Sequence, residues 1–323
     1  MKRKTTVVWL VAVLAMAIAG GSSAAAAEPT TLSVFAAGTL AVPFKKVDQL
    51  FERKNPDIVV QPQFGGSVKM ARQITDLHRD ADILAVADYN VIPKYLFAAD
   101  GKTAYADWYI GFVRNAITFV YTGKSKFANE INSKNWYHVL AREGVEIGRS
   151  NPDTDPSGYQ TVQMLNLAEK YYSSPGLTEK ILANAPLSNM RDTETSLISA
   201  LQLGQIDYLA IYRSDALQHH LRLLDLPAKI NLNDPTYASF YAEGIARTKN
   251  GDLAGKPIVY AVTIVATSTK KAAAERYLSF LLGPEGRKVM SEDGFGTFSP
   301  AYAVNMGKVP AALQRVVEPW PAS

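Results

Sequence analysis

Two short loops combine glycines with a hydroxyl residue. Ala36-Ala37-Gly38-Thr39-Leu40 follows a strand-like run and opens a helix-like one, and Gly65-Gly66-Ser67-Val68-Lys69 repeats the design. At such a junction a hydroxyl and unpaired backbone N–H groups converge at the positive end of a helix, so either loop can hold an anion. A hydroxyl that only caps its helix has the same sequence. Two such loops after consecutive strands would face one cleft, which brings a shared ligand level with the capping reading. A third loop, Ser150 to Tyr159, is rich in Asn, Asp, Pro and Gly. Its Asp155 or Ser157 can line the cleft, or the segment can be a solvated turn. In the fourth, Tyr212 ends a strand and Ser214 starts a helix. A buried phenol there is either core or a donor to a bound anion.

These loops need a scaffold in which strands deliver them to one edge. Thr31–Ala36, Ile58–Phe64 and Asp82–Ala87 read as strands, with helices over Val42–Lys54 and Val68–His78 between them. That βαβαβ rhythm predicts a parallel sheet. It resumes with a helix over Trp136–Glu143, a strand over Val145–Arg149, helices over Tyr159–Tyr172 and Glu194–Leu203, and a strand over Tyr208–Tyr212. Ile110–Tyr121 and Pro257–Ala266 are long and rich in β-branched and aromatic residues, as strands passing between two lobes would be. Helices over Lys270–Leu282 and Glu285–Asp293 then return to the first lobe. The expected architecture is α/β and two-lobed, with residues 28–110 and 258–323 in one lobe and 111–257 in the other.

The chain has 323 residues and no cysteine. Lys2, Arg3 and Lys4 precede an apolar run and a stretch of small residues, which predicts a Sec signal peptide over 1–27 with cleavage before Glu28. Without a cysteine no lipid anchor or disulfide forms, so the expectation is a monomer free in the periplasm. Beyond the leader, 31 Lys and Arg face 30 Asp and Glu, interspersed along the chain. That balance lacks the basic footprint of a nucleic-acid binder.

AGTLAVPF (37–44), GGSVKMARQITDL (65–77), DILAVADYNVIP (82–93), ADWYIGFVRN (106–115), NPDTDPSGY (151–159), DYLAIYRSDALQH (207–219), GKPIVYAVTI (255–264) and FLLGPEGRKVM (280–290) occur in this order. Together they resemble the tungstate/molybdate-binding proteins of ABC transporters. The resemblance implies the type II periplasmic-binding-protein fold, a molybdate or tungstate ion held between lobes, delivery to a membrane permease, and no cofactor. It places first-lobe donors on Thr39 and Ser67, and second-lobe contacts on Asp155 and Tyr212. In archaeal members a glutamate just before that tyrosine joins the aspartate in coordinating the metal. Here that position is Ile211. One carboxylate is thereby removed, leaving Asp155 as a metal ligand only if the oxyanion's metal is bonded directly, and four-coordinate binding through hydrogen bonds is expected. Such anions carry no proton at neutral pH and only accept hydrogen bonds, which suits hydroxyls and backbone N–H groups.

Two rivals remain. Sulfate, thiosulfate or ferric ion can occupy the same fold, and Tyr171 with Tyr172 or His219 with His220 carry iron-ligand chemistry; both pairs are expected within helices, where adjacent residues do not share a face. An enzyme would need a motif the chain lacks: no cysteine, HExxH, Gly-x-Ser-x-Gly or Walker loop is present, and His78 and His138 read as helical residues in or near solvent.

Overall fold

The computed structural model describes residues 28–97 and 104–320, so the leader expected over 1–27 lies outside it. Among the described residues no helix is long and apolar enough to cross a membrane.

The chain builds two sheets. The first has seven strands in the order β14-β13-β4-β12-β3-β1-β2. They are β1 (Thr30–Ala37), β2 (Ile58–Gly65), β3 (Ile83–Val86), β4 (Tyr109–Arg114), β12 (Val259–Ile264), β13 (Gly296–Val304) and β14 (Val317–Pro319). The βαβαβ reading holds locally, since β1 pairs in parallel with both β2 and β3. The sheet as a whole is mixed, because β12 runs antiparallel to β3 and β4, and β13 to β4. Helices α1 (Ala41–Lys54), α2 (Ser67–Thr75), α3 (Val91–Tyr95), α10 (Lys271–Leu282), α11 (Pro284–Glu292) and α12 (Ala311–Gln314) belong to these segments. α1 buries Phe44, Val47 and Phe51, a spacing of three to four that turns one helical face to the core.

The second sheet has the order β7-β6-β8-β5-β9. Its strands are β5 (Ile117–Tyr121), β6 (Ile147–Ser150), β7 (Met190–Arg191), β8 (Tyr208–Tyr212) and β9 (Arg222–Leu223). It carries α4 (Trp136–Leu140), α5 (Pro156–Tyr171), α6 (Leu177–Ala183), α7 (Ile198–Leu203), α8 (Arg213–Gln218) and α9 (Ala238–Tyr241). A separate hairpin, β10 (Ile245–Thr248) with β11 (Gly251–Ala254), packs against α5.

The segment read as one long strand over Ile110–Tyr121 is two. β4 stays in the first sheet to Arg114, β5 begins the second at Ile117, and Asn115 and Ala116 make the passage. Asn115 turns its side chain onto the break: Oδ1 accepts from the Ala116 N–H at 2.9 Å and Nδ2 donates to Ser214 Oγ at 2.8 Å. The chain returns between Ala254 and Val259, where β12 rejoins the first sheet. Both passages therefore lie beside the ends of the strands that feed the predicted loops.

Candidate functional site

The four predicted residues converge between the two sheets. Thr39 lies in a single 3-10 turn, Gly38–Leu40, and is 3 % exposed; Ser67 is the first residue of α2 and fully buried. Neither hydroxyl makes a capping hydrogen bond to its helix. Thr39 Oγ1 instead donates to the Tyr260 hydroxyl at 2.9 Å, and Ser67 Oγ accepts from the Ala87 N–H at 2.9 Å. Because Ser67 accepts there, its own proton remains to be given to a ligand.

Asp155 and Tyr212 face them from the second sheet. Asp155 precedes α5 with extended backbone, and Pro156 occupies the first turn, where its missing N–H costs nothing. Tyr212 ends β8, fully buried, and its hydroxyl donates to Gln160 Oε1 of α5 at 2.6 Å. Its ring meets that of Tyr260 edge to face at 5.8 Å, joining the second sheet to β12. Burial pushes both phenols well above their usual range, so both stay protonated and able to donate.

The loops touch across the cleft through their glycines. A Cβ on Gly66 would lie 2.5 Å from the Thr154 carbonyl oxygen and 3.2 Å from Asp155 Cβ. One on Gly38 would lie 3.3 Å from Thr195 Oγ1. The Lys69 N–H also donates to the Thr154 carbonyl at 3.3 Å. The absence of side chains at residues 38 and 66 lets the two halves close this tightly.

Three further residues belong to the site and were not read from the sequence. Tyr260 accepts from Thr39 and, at 3.3 Å, from Asn115 Nδ2, so its own proton points to a further acceptor. Glu194 and Asp215 are buried acids, each 1 % exposed, and Glu194 Oε1 and Asp215 Oδ2 have no hydrogen-bond partner. Burial raises Asp155, Glu194 and Asp215 above the usual carboxylate range, and their mutual repulsion adds to the rise at Glu194 and Asp215. Asp155 is thus not the only buried carboxyl in this region, although Ile211 itself carries none. Ile211 packs with Leu197, Ile198 and Ala216 in a small apolar cluster, against the 3-10 turn Glu194–Leu197 that carries the second acid. A signal was present in the sequence: Glu194 opens an apolar segment in an Asp-Thr-Glu-Thr-Ser run, where an N-terminal acid reads as a capping residue.

Asp88, after β3, sits at the edge of the cleft. It accepts from the Tyr159 hydroxyl at 2.7 Å and pairs with Lys256 Nζ at 2.8 Å. These residues line part of a cavity of about 350 Å³ that reaches to Val68, next to Ser67, and to the β10–β11 hairpin. The tyrosine and histidine pairs lie elsewhere. Tyr172 stacks on Tyr137 at 3.9 Å, and Tyr171 is exposed. His219 and His220 follow α8 rather than lying in it, with His220 in the left-handed region.

The comparisons with known proteins fit this geometry. The family of bacterial extracellular solute-binding proteins matches residues 32–296. The chain belongs to that family. The molybdate/tungstate-binding protein WtpA of Thermococcus kodakarensis is 38% identical over 319 residues, covering 90% of this chain and 88% of the relative. Among solved structures, the sulfate-binding protein SubI of Mycobacterium tuberculosis superposes with a TM-score of 0.60 at 16% identity, covering 84% of this chain and 88% of that one. The periplasmic molybdate-binding protein of Azotobacter vinelandii gives 0.59 at 18% identity, covering 82% and 98%. The fold is the type II periplasmic-binding-protein fold. The chain is accordingly a solute-binding protein.

Proposed function

We propose that this protein captures molybdate or tungstate in the periplasm, as a tetrahedral dianion, and delivers it to an ABC importer. The observation that carries this reading is the donor set. Thr39, Ser67 and Tyr260 from the first sheet and Tyr212 from the second are buried hydroxyls beside the N-terminal ends of α2 and α5; Ser67 and Tyr260 have protons not given to another side chain, while Thr39 and Tyr212 donate to Tyr260 and Gln160 and would turn to a ligand. Hydroxyls and helix N–H groups donate to an anion without bringing a full positive charge, which suits an ion that only accepts. Relatives such as the Thermococcus protein support the same ligand class.

A thermal-shift series with molybdate, tungstate, sulfate, phosphate and ferric citrate tests this. A ligand that binds only the native state raises the melting temperature by mass action, so molybdate or tungstate should do so at micromolar concentration. A larger shift with phosphate or ferric citrate would refute the assignment. A larger shift with sulfate would keep the oxyanion site and change its cargo.

A further inference from the structure

We propose that Asp88 is a positioning residue that latches the two halves shut over the captured ion, by holding the Tyr159 hydroxyl across the cleft with Lys256 as its fixed counterion; the ion itself rests on the oxyanion reading above.

Asp88 stands where the two donor loops can be tied together. It directly follows Ala87, whose N–H donates to Ser67 Oγ, and its side chain is 6 % exposed. Oδ2 accepts from the Tyr159 hydroxyl at 2.7 Å, while Oδ1 accepts from the Asn90 N–H and from Lys256 Nζ, each at 2.8 Å. Tyr159 lies on α5, one turn beyond Asp155, and burial keeps its phenol protonated and donating. One carboxylate thus joins the strand end that positions Ser67 to the helix that begins behind Asp155.

Its partners differ in which half they follow. The Tyr89 N–H donates to the Val259 carbonyl at 3.1 Å, which ties the Asp88 segment to the return passage that carries Lys256. Lys256 Nζ also lies 4.2 Å from the centre of the Tyr89 ring. Lys256 therefore stays with Asp88 when the halves part, and the buried charge is compensated in both states. Tyr159 belongs to the second half and is the partner that leaves. A bond made only in the shut state shifts the balance towards closure.

The surroundings let that bond open and close. Asp88, Tyr159 and Lys256 line the cavity of about 350 Å³ together with Val91 and Tyr95 of the first half and Leu253 of the hairpin. Here the halves meet across space rather than through packed side chains, so water can hydrate Asp88 and Tyr159 on opening and little stability is lost. The other polar bridges between the halves hold less firmly. Lys69 pairs with Asp192 at 2.6 Å, but both side chains are about half exposed, and Lys94 gives its ammonium to the Asn250 carbonyl at 2.8 Å near solvent. The Tyr159 bond is buried and accepted by a charge, which is the stronger kind.

Tyr159→Phe removes the hydroxyl alone. Stopped-flow binding and release of molybdate and tungstate should show release about tenfold faster or more, and association within about threefold of wild type, because the bond forms after the ion has entered. As the chain has no cysteine, spin labels on Leu77→Cys and Leu187→Cys, exposed sites on either half, read the separation of the halves directly. Without ligand, Tyr159→Phe should lengthen the distances between labels, while its melting temperature should stay within about 4 °C of wild type. Asp88→Ala should release the ion at least as fast, and adding Tyr159→Phe to it should change nothing further, since the two act through one bond. Wild-type release from Tyr159→Phe, a loss confined to association, unchanged label distances, a larger drop in melting temperature, or additive effects of the two substitutions would each overturn the inference. Should Asp88→Ala fail to fold, because it strips Lys256 of its counterion, Tyr159→Phe decides alone. Should wild type bind no oxyanion, the proposed function falls, and the label distances of the ligand-free proteins still decide the latch.

Discussion

Gly66→Ala separates closure of the cleft from stability of its halves. Gly66 is the N-cap of α2 with φ −58° and ψ 133°, a conformation open to any residue. The three atoms nearest an added Cβ all belong to loops of the second sheet: the Thr154 carbonyl at 2.5 Å, the Asp192 carbonyl at 3.0 Å and Asp155 Cβ at 3.2 Å. Ordinary contact starts at 3.4 Å, so closure would stop roughly 0.9 Å short against backbone that cannot rotate aside. A retreat of that size breaks the Lys69 N–H to Thr154 bond, already 3.3 Å long, and carries donors beyond reach of a ligand gripped from both sides. With hydrogen bonds to charged groups at about 1.5 to 3 kcal/mol each, the loss should be about 2 to 4 kcal/mol, or roughly 30- to 1000-fold in Kd. Stability of the ligand-free protein should fall by less than about 1 kcal/mol, the cost of Ala for Gly at an N-cap. Calorimetry gives the affinity, thermal melts give the stability, and small-angle scattering with and without ligand reads closure. Gly38→Ala is the control, because its nearest contacts are the Thr195 and Thr193 side chains at 3.3 and 3.5 Å, which can yield. If Gly66→Ala binds and closes like wild type, the contact between these loops does not belong to the liganded state and the reasoning fails.

Thr39→Ala and Ser67→Ala should each weaken oxyanion binding by about 1 to 3 kcal/mol; Ser67→Ala should also lower stability, because it strips the Ala87 N–H of its acceptor. Titration calorimetry checks both, and wild-type affinity in the pair would remove them from the site. Bound tungstate should remain four-coordinate in its X-ray absorption spectrum, and Asp155→Asn should bind as well as wild type or better; a six-coordinate spectrum with a large loss in Asp155→Asn would mean that carboxylates ligate the metal. Away from the cleft, Asp48 of α1 accepts from the Tyr277 hydroxyl at 2.7 Å, and burial raises it from 3.8 to about 7. A carboxyl with a raised folded-state pKa stabilises most below 3.8 and loses that stability as pH climbs to about 7. Asp48→Asn, which keeps the acceptor, should therefore gain up to about 4 kcal/mol at pH values above about 7 and nothing near pH 3. Urea unfolding at both ends of that range measures it, and equal stability at the upper end would refute it.

The framework was legible because it rests on period and punctuation. Phe44, Val47 and Phe51 announce the buried face of α1, and Pro284 with Gly283 marks where one late helix yields to the next. Thr39, Ser67, Asp155 and Tyr212 were legible as residues at strand-to-helix junctions, which the sheets bring to one edge. Legibility failed where tertiary contacts decide. Ile110–Tyr121 reads as one strand-like run interrupted only by Arg114 and Asn115, and a polar pair of that kind does not by itself announce that the chain changes sheets there. The β10–β11 hairpin and the 3-10 turn at Glu194 are too short for a periodic signal. Glu194 and Asp215 read as ordinary acids near helix starts, and only the fold reveals that both are buried against Asp155.

That cluster recasts how charge is handled in the cleft. Three ionised acids beside a dianion would be untenable, and among the described residues no ion pair offsets them: Lys256, the cation at the cleft's edge, is engaged by Asp88 at 2.8 Å. On the proposed function, what offsets the dianion is dipolar: the N-terminal ends of α2 at Ser67 and of α5 at Pro156, with the hydroxyls around them. Dipoles of this kind are fixed when the chain folds and need no counterion to move. Ile211 then has a physical rationale. An acid at that position would press on the turn carrying Glu194 and add a further carboxyl to a crowded, desolvated cluster, whereas the isoleucine packs that turn against β8.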